Sequence, residues 1–220
     1  MELSIAQKIA VWALPVLFAI TVHEFAHGWM AWRLGDGTAK FLGRVSLNPL
    51  KHIDPIGTII VPAILMFLGG FMFGWAKPVP VNFSSLRNPK RDMALVALAG
   101  PLSNLIMAIL WSAVFSLSYH SGFIQTTGLS SDIALLLKLM GEAGVLINVM
   151  LMLFNLLPIP PLDGSRIASS FMNNKLAYQY NLLERYGFVI LLGLMFLGMF
   201  ERFLSPWVYF VGTQIIQLFI

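Results

Sequence analysis

The chain has 220 residues, 58% of them hydrophobic and 11% charged, with a formal net charge of +4 and no cysteine. Soluble domains carry about 25% charged residues, so this composition, with a mean hydropathy of +0.79, excludes an ordinary water-soluble domain and leaves a polytopic membrane protein. The basic excess sits in short loops, which excludes nucleic acid as a partner, and without cysteine there is no disulfide and any metal ligand is His or carboxylate.

The first apolar run covers residues 9–34 and ends at the turn signal Gly35-Asp36-Gly37. It reads as a retained span rather than a cleavable leader, because it carries His23-Glu24-Phe25-Ala26-His27. Residues four apart on a helix differ by about 40° around the axis, so His23 and His27 share a face. Two imidazoles so placed are a half-site for Zn²⁺, and the Glu24 between them is placed as general base. Ionisable groups within an apolar span are costly unless paired or metal-bound, which weighs against a metal-free polar cluster.

Residues 38–54 are polar, with Lys40, Arg44 and Lys51, and read as a loop able to hold short strands. Residues 56–73 are apolar, but Pro62 and then Gly69-Gly70 interrupt them. Residues 74–82 (GWAKPVPVN) read as extended: two prolines disfavour helix, and Val79 alternates with Val81. Residues 83–92 form a loop with Arg87, Lys90 and Arg91, and 93–118 form a clear span. The loop at 120–131 has no Lys or Arg. Residues 133–157 form the next span and end in Pro158-Ile159-Pro160-Pro161-Leu162-Asp163-Gly164. Residues 165–185 suit a surface, 186–200 are apolar, Glu201-Arg202 marks a break, and 206–220 are apolar again. The expected fold is an all-α polytopic membrane bundle of about five to six helices with a re-entrant or extended segment near residues 56–82. The whole of 1–220 reads as one membrane-embedded domain, with a catalytic core at about 7–165 and accessory helices at about 166–220.

Loop charge constrains the path. If 56–73 crossed once, the two basic loops around it would face opposite sides, against the positive-inside rule. A segment that enters and returns puts both basic loops in the cytoplasm and the 120–131 loop outside. The first span and 133–157 then run parallel, so the histidines lie level with the Asp163 region. Glu24 is nine residues from Arg33, about 14 Å of helix rise, which places the site below the surface but nearer the cytoplasm.

A catalytic zinc needs a third protein ligand and an open position. Asp163, after the proline-rich break, can turn back into the bundle as that ligand or can cap a helix starting at Gly164. Glu142 is a weaker candidate, since it can pair with Lys138 one turn away. The sequence motifs HEFAH in a first span and NLLPIPPLDG from Asn155 resemble the site-2 protease family of intramembrane zinc metalloproteases, in the compact form without PDZ or CBS domains. The resemblance extends over about residues 20–165 and includes Gly100-Pro101-Leu102-Ser103-Asn104. It implies one zinc per chain on His23, His27 and Asp163, with Glu24 as base and Asn155 as catalytic partner. Asn155 can donate to the oxyanion, or to a helix neighbour. Asn104 has equal claims as substrate-binding residue and as a tie between helices, and Asn148 reads as structural. Val79 and Val81 mark an edge for strand addition of an unwound substrate.

The function expected is an intramembrane zinc endopeptidase of the cell membrane of a prokaryote, hydrolysing peptide bonds in or near transmembrane segments of membrane proteins in regulated intramembrane proteolysis. The alternatives are an inactive membrane adaptor of the same fold and, further off, a metal transporter. A transporter would string polar residues across the whole bilayer, whereas here they cluster toward one end.

Overall fold

A computed structural model describes residues 4–61, 64, 74–121 and 128–220 of the chain. Among these residues the elements are helical and no strand occurs. The stretch 38–54, read as a loop able to hold short strands, holds none and instead contains α2 (Thr38–Phe41) and a 3₁₀ turn at Pro49–Lys51.

The frame is three long helices: α1 (Ile5–Arg33), α3 (Pro89–His120) and α4 (Leu129–Asn155). Each has readable ends. A capping box closes the start of α1, where Gln7 N–H donates to Ser4 Oγ and Ser4 N–H to Gln7 Oε1. Gly35, at φ 118°, ends it in a conformation that favours glycine. Pro89 opens α3, and Asp92 in its first turn accepts from Asn88 N–H at 2.8 Å.

The helices approach through small residues. A Cβ on Gly141 would stand 2.7 Å from Phe115 N, and one on Gly144 only 2.2 Å from Trp111 Cγ. These pairings make α3 and α4 antiparallel. Trp111 also packs with Val11 of α1 beside Met140 and Ala143. Asn104 of α3 reaches Ala19 of α1 and Asn148 of α4. Position numbers on α1 and α4 thus rise together, and these two helices are parallel, as the loop charges require.

The stretch between α1 and α3 begins and ends at one end of the bundle. Arg87 N–H donates to Leu34 O at 3.1 Å, and Asn82 N–H donates to the fully buried Asp36 Oδ2 at 2.7 Å. Lys77 N–H donates to His52 O at 2.9 Å, and Arg44 Nη2 donates to Lys77 O at 2.8 Å. Both basic loops therefore pack together. Trp75 N–H donates to Gly57 O at 3.0 Å and Thr58 Oγ1 donates to Trp75 O at 2.9 Å. A single crossing would separate these positions by about 30 Å, whereas Gly57 and Trp75 are hydrogen-bonded neighbours. Pro62 and Gly69-Gly70, the interruptions that suggested re-entry, lie outside the described residues. Residues 74–82 are free of helix, as expected.

After α4 come α5 (Asp163–Ser170), α6 (Asn174–Asn181), α7 (Glu184–Phe196) and α8 (Ser205–Gln217). Val208 and Ile215 of α8 pack on Ala108, Val145, Val149 and Met152. Three described helices are long and apolar enough to cross a membrane; a fourth crossing arises if α7 and the stretch Phe200–Gln217, bent by 73°, form one broken span. At 13 residues each, α7 and α8 are about 20 Å long, short of a hydrocarbon core of about 30 Å.

Candidate metal centre

The helical period of α1 brings His23 and His27 onto one face, where their Nε2 atoms stand 2.9 Å apart. Each ring is held from behind through Nδ1. His27 Nδ1 lies 2.7 Å from Val96 O, a carbonyl that can only accept. His23 Nδ1 lies 2.6 Å from Asn104 Oδ1. Gly100 makes room for both rings: a Cβ there would fall 2.4 Å from His27 Nε2 and 2.6 Å from His23 Cε1.

Asp163 arrives from the other side, on the turn between α4 and α5. Its carboxylate does not cap a helix. It is the first residue of α5, Leu162 holds the cap position, and no side-chain capping bond forms. Instead Asp163 Oδ2 stands 3.3 Å from both His23 Nε2 and His27 Nε2.

The turn is braced along its length. Its Pro160–Pro161 peptide is cis. Tyr180 Oη donates to Pro158 O at 2.6 Å, and Gly187 admits Pro160 so closely that a Cβ would meet its carbonyl at 2.3 Å. Arg166 Nη2 spans both oxygens of Glu184 at 2.7 and 2.8 Å, tying α5 to α7.

Glu24 points to the side of α1 that faces the extended segment, where its Oε2 accepts Val79 N–H at 2.7 Å. The Val79 side chain is buried against α1 beside Gly28, and Val81 packs with Ala31, Leu86 and Val96. Asn155, at the last position of α4, donates from Nδ2 to Leu151 O at 2.9 Å. Asn104 is fully buried, its Nδ2 donating to Asn148 Oδ1 at 2.9 Å and Ala19 O at 3.2 Å. Glu142 is exposed, and Lys138 lies over the Phe115 and Tyr119 rings.

His23, His27 and Asp163 form a group that can hold a metal ion, their ligand atoms all lying within 4.8 Å of one another. In neutral rings whose Nδ1 protons face Val96 O and Asn104 Oδ1, the two Nε2 atoms present lone pairs to each other. The buried Asp163 Oδ2 has no hydrogen-bond partner. Three acceptor atoms thus converge with no proton between them, an arrangement that a cation reconciles. Donors about 2.0–2.2 Å from one tetrahedral ion stand about 3.3 Å from each other, close to the separations found.

Val96 was not singled out from sequence, and Gly100 entered only as part of Gly100-Pro101-Leu102-Ser103-Asn104, with no role of its own. A glycine inside a span, just before Pro101, is a signal of close approach. A backbone carbonyl such as Val96 O leaves no signal at all.

A family model described as Peptidase family M50 matches residues 11–139 and 118–194. The "Putative zinc metalloprotease YwhC" of Bacillus subtilis is 36% identical over 210 residues, covering 94% of this chain and 89% of that protein. The "Putative zinc metalloprotease Rip2" of Mycolicibacterium smegmatis is 30% identical over 206 residues, 88% of this chain and 69% of that protein. The protein of the same name from Mycobacterium tuberculosis is 34% identical over 148 residues, 67% of this chain and 52% of that protein. No solved structure matches significantly. Agreement of this extent, on a chain whose long helices are apolar enough to cross a membrane, shows that the protein belongs to peptidase family M50, the site-2 protease family, and is a membrane-integral protease.

Proposed function

We propose that the protein is an intramembrane zinc endopeptidase that cleaves membrane-protein substrates in or near a transmembrane segment, as in regulated intramembrane proteolysis. The observation that carries this is the convergence of His23 Nε2, His27 Nε2 and Asp163 Oδ2, all acceptors, inside a membrane helix bundle. These three residues would hold one zinc per chain. When bound, zinc supplies Lewis acidity toward water and the scissile carbonyl.

The chain's own groups supply the rest. Glu24 takes the proton of the attacking water. Its Oε2 is occupied by Val79 N–H, so Oε1 is the oxygen that receives the proton. Asn155 donates to the developing oxyanion once its amide leaves Leu151 O. An unwound substrate lies along the extended segment at Val79 and Val81, which the Glu24 hydrogen bond puts beside the base. The catalytic core is residues 7–165, with the later helices accessory.

The basic loops packed at one end face the cytoplasm by the positive-inside rule, which puts the site nearer that side of a prokaryotic cell membrane. Cysteine labelling checks this in the cysteine-free chain: Ser84→Cys should react from inside and Ser130→Cys from outside. Labelling of both from one side would sink the arrangement.

The decisive experiment measures zinc content and cleavage of a model transmembrane substrate in parallel. Wild type should carry about one zinc, with His23→Ala as the empty control. Glu24→Gln should keep zinc and lose about 10²–10⁴ in rate. Asp163→Ala should lose zinc itself. Full cleavage by Glu24→Gln would end the proposed mechanism.

A further inference from the structure

We propose that Asn104 and Asn148 are positioning residues, a buried two-amide relay that fixes which nitrogen of His23 faces the metal. This rests on the zinc reading above and assigns Asn104 a place behind the imidazole rather than on the substrate.

The relay has only one workable direction. Gly144 O can only accept, and Asn148 Nδ2 donates to it at 2.8 Å. The Asn148 carbonyl oxygen must then face Asn104. It accepts from Asn104 Nδ2 at 2.9 Å, and Ala19 O, also only an acceptor, takes the same amide at 3.2 Å. Asn104 is thereby unable to flip, and its Oδ1 is left facing His23 at 2.6 Å. An acceptor there requires the proton of a neutral His23 on Nδ1, so the lone pair lies on Nε2, toward His27 and Asp163. Both asparagines are fully buried, so a lost partner leaves a polar group out of reach of bulk solvent. A backbone carbonyl on α4 thus sets the tautomer of a histidine on α1 through α3. His27 needs no such chain, because Val96 O meets its Nδ1 directly.

The test uses the full chain in detergent. Zinc affinity is measured by chelator competition, and cobalt absorption reports ligand geometry. Asn104→Leu should weaken zinc about 10–100-fold. Asn104→Asp keeps an oxygen for His23 but loses the amide donor to Asn148 Oδ1 and Ala19 O, so its zinc affinity should fall between wild type and Asn104→Leu, with the wild-type cobalt spectrum. Asn148→Leu removes one of two acceptors for the Asn104 amide and should fall between. In metal-free, histidine-labelled protein, nitrogen NMR should place the His23 proton on Nδ1 in wild type and find mixed tautomers in Asn104→Leu. Wild-type zinc affinity and tautomer in a folded Asn104→Leu would overturn the proposal and leave a plain tie between helices. Should that variant not fold, an unchanged affinity and His23 tautomer in Asn148→Leu would overturn it instead. A wild-type chain that binds no zinc would defeat the metal reading, while the metal-free tautomer measurement would still decide the relay.

Discussion

The two halves of the metal centre are built by different means. His23, Glu24 and His27 ride on one unbroken helix, where the period alone puts two rings together and aims the carboxylate elsewhere. Asp163 sits on a turn with no internal period, and its place depends on contacts from elements much later in the chain. The helix half therefore tolerates change in its surroundings while keeping its backbone. The turn half has a backbone that its neighbours must hold. A substitution of the same size should act differently on the two.

Gly164→Ala should have the largest effect. Its Cβ would fall 2.2 Å from Leu156 O and 2.5 Å from Leu157 O, so backbone must move. We expect a loss of about 3 kcal/mol in stability, read as a lowered melting temperature in detergent, with zinc lost as well. Gly100→Ala should separate the two effects. The three atoms nearest its Cβ belong to the imidazoles rather than to backbone, so the rings are displaced first. Zinc affinity should drop about 10–100-fold while the metal-free protein melts near wild type. Equal melting losses in the two variants would erase the distinction between helix and turn.

The braces on the turn should follow. Tyr180→Phe removes a single donor to Pro158 O and should cost about 1 kcal/mol, with zinc retention lowered a few-fold in a chelator competition. Arg166→Gln should do least. Its ion pair with Glu184 is partly exposed, and such pairs are worth about 0–1 kcal/mol. A loss from Arg166→Gln larger than that from Gly164→Ala would show that α7, rather than local packing, places Asp163.

Much of the plan was legible in the sequence because it rests on local rules. Helical period put His23 and His27 on one face. Apolar length marked the three long spans, and loop charge required both basic loops at one end and α1 parallel to α4. The loop read at 38–54 forms no strand because no partner strand lies beside it among the described residues, and a lone extended stretch has nowhere to bond. The break expected at Glu201-Arg202 is present as a bend between α7 and the stretch Phe200–Gln217, beside Gly198 with φ 67°.

The sequence by itself determined the chemistry available: two imidazoles on one helix face, a carboxylate next to them in the chain, and a second carboxylate after a proline break. These follow from spacing and residue type. Only the tertiary structure decided how that chemistry is aimed. The choice of Asp163 between cap and site, the hold of Val79 on Glu24, the room made by Gly100 and the direction of the Asn148–Asn104–His23 chain each depend on contacts between residues far apart in sequence. Several of those contacts run through backbone N–H and C=O groups, which every residue carries alike and which therefore leave no mark in the sequence.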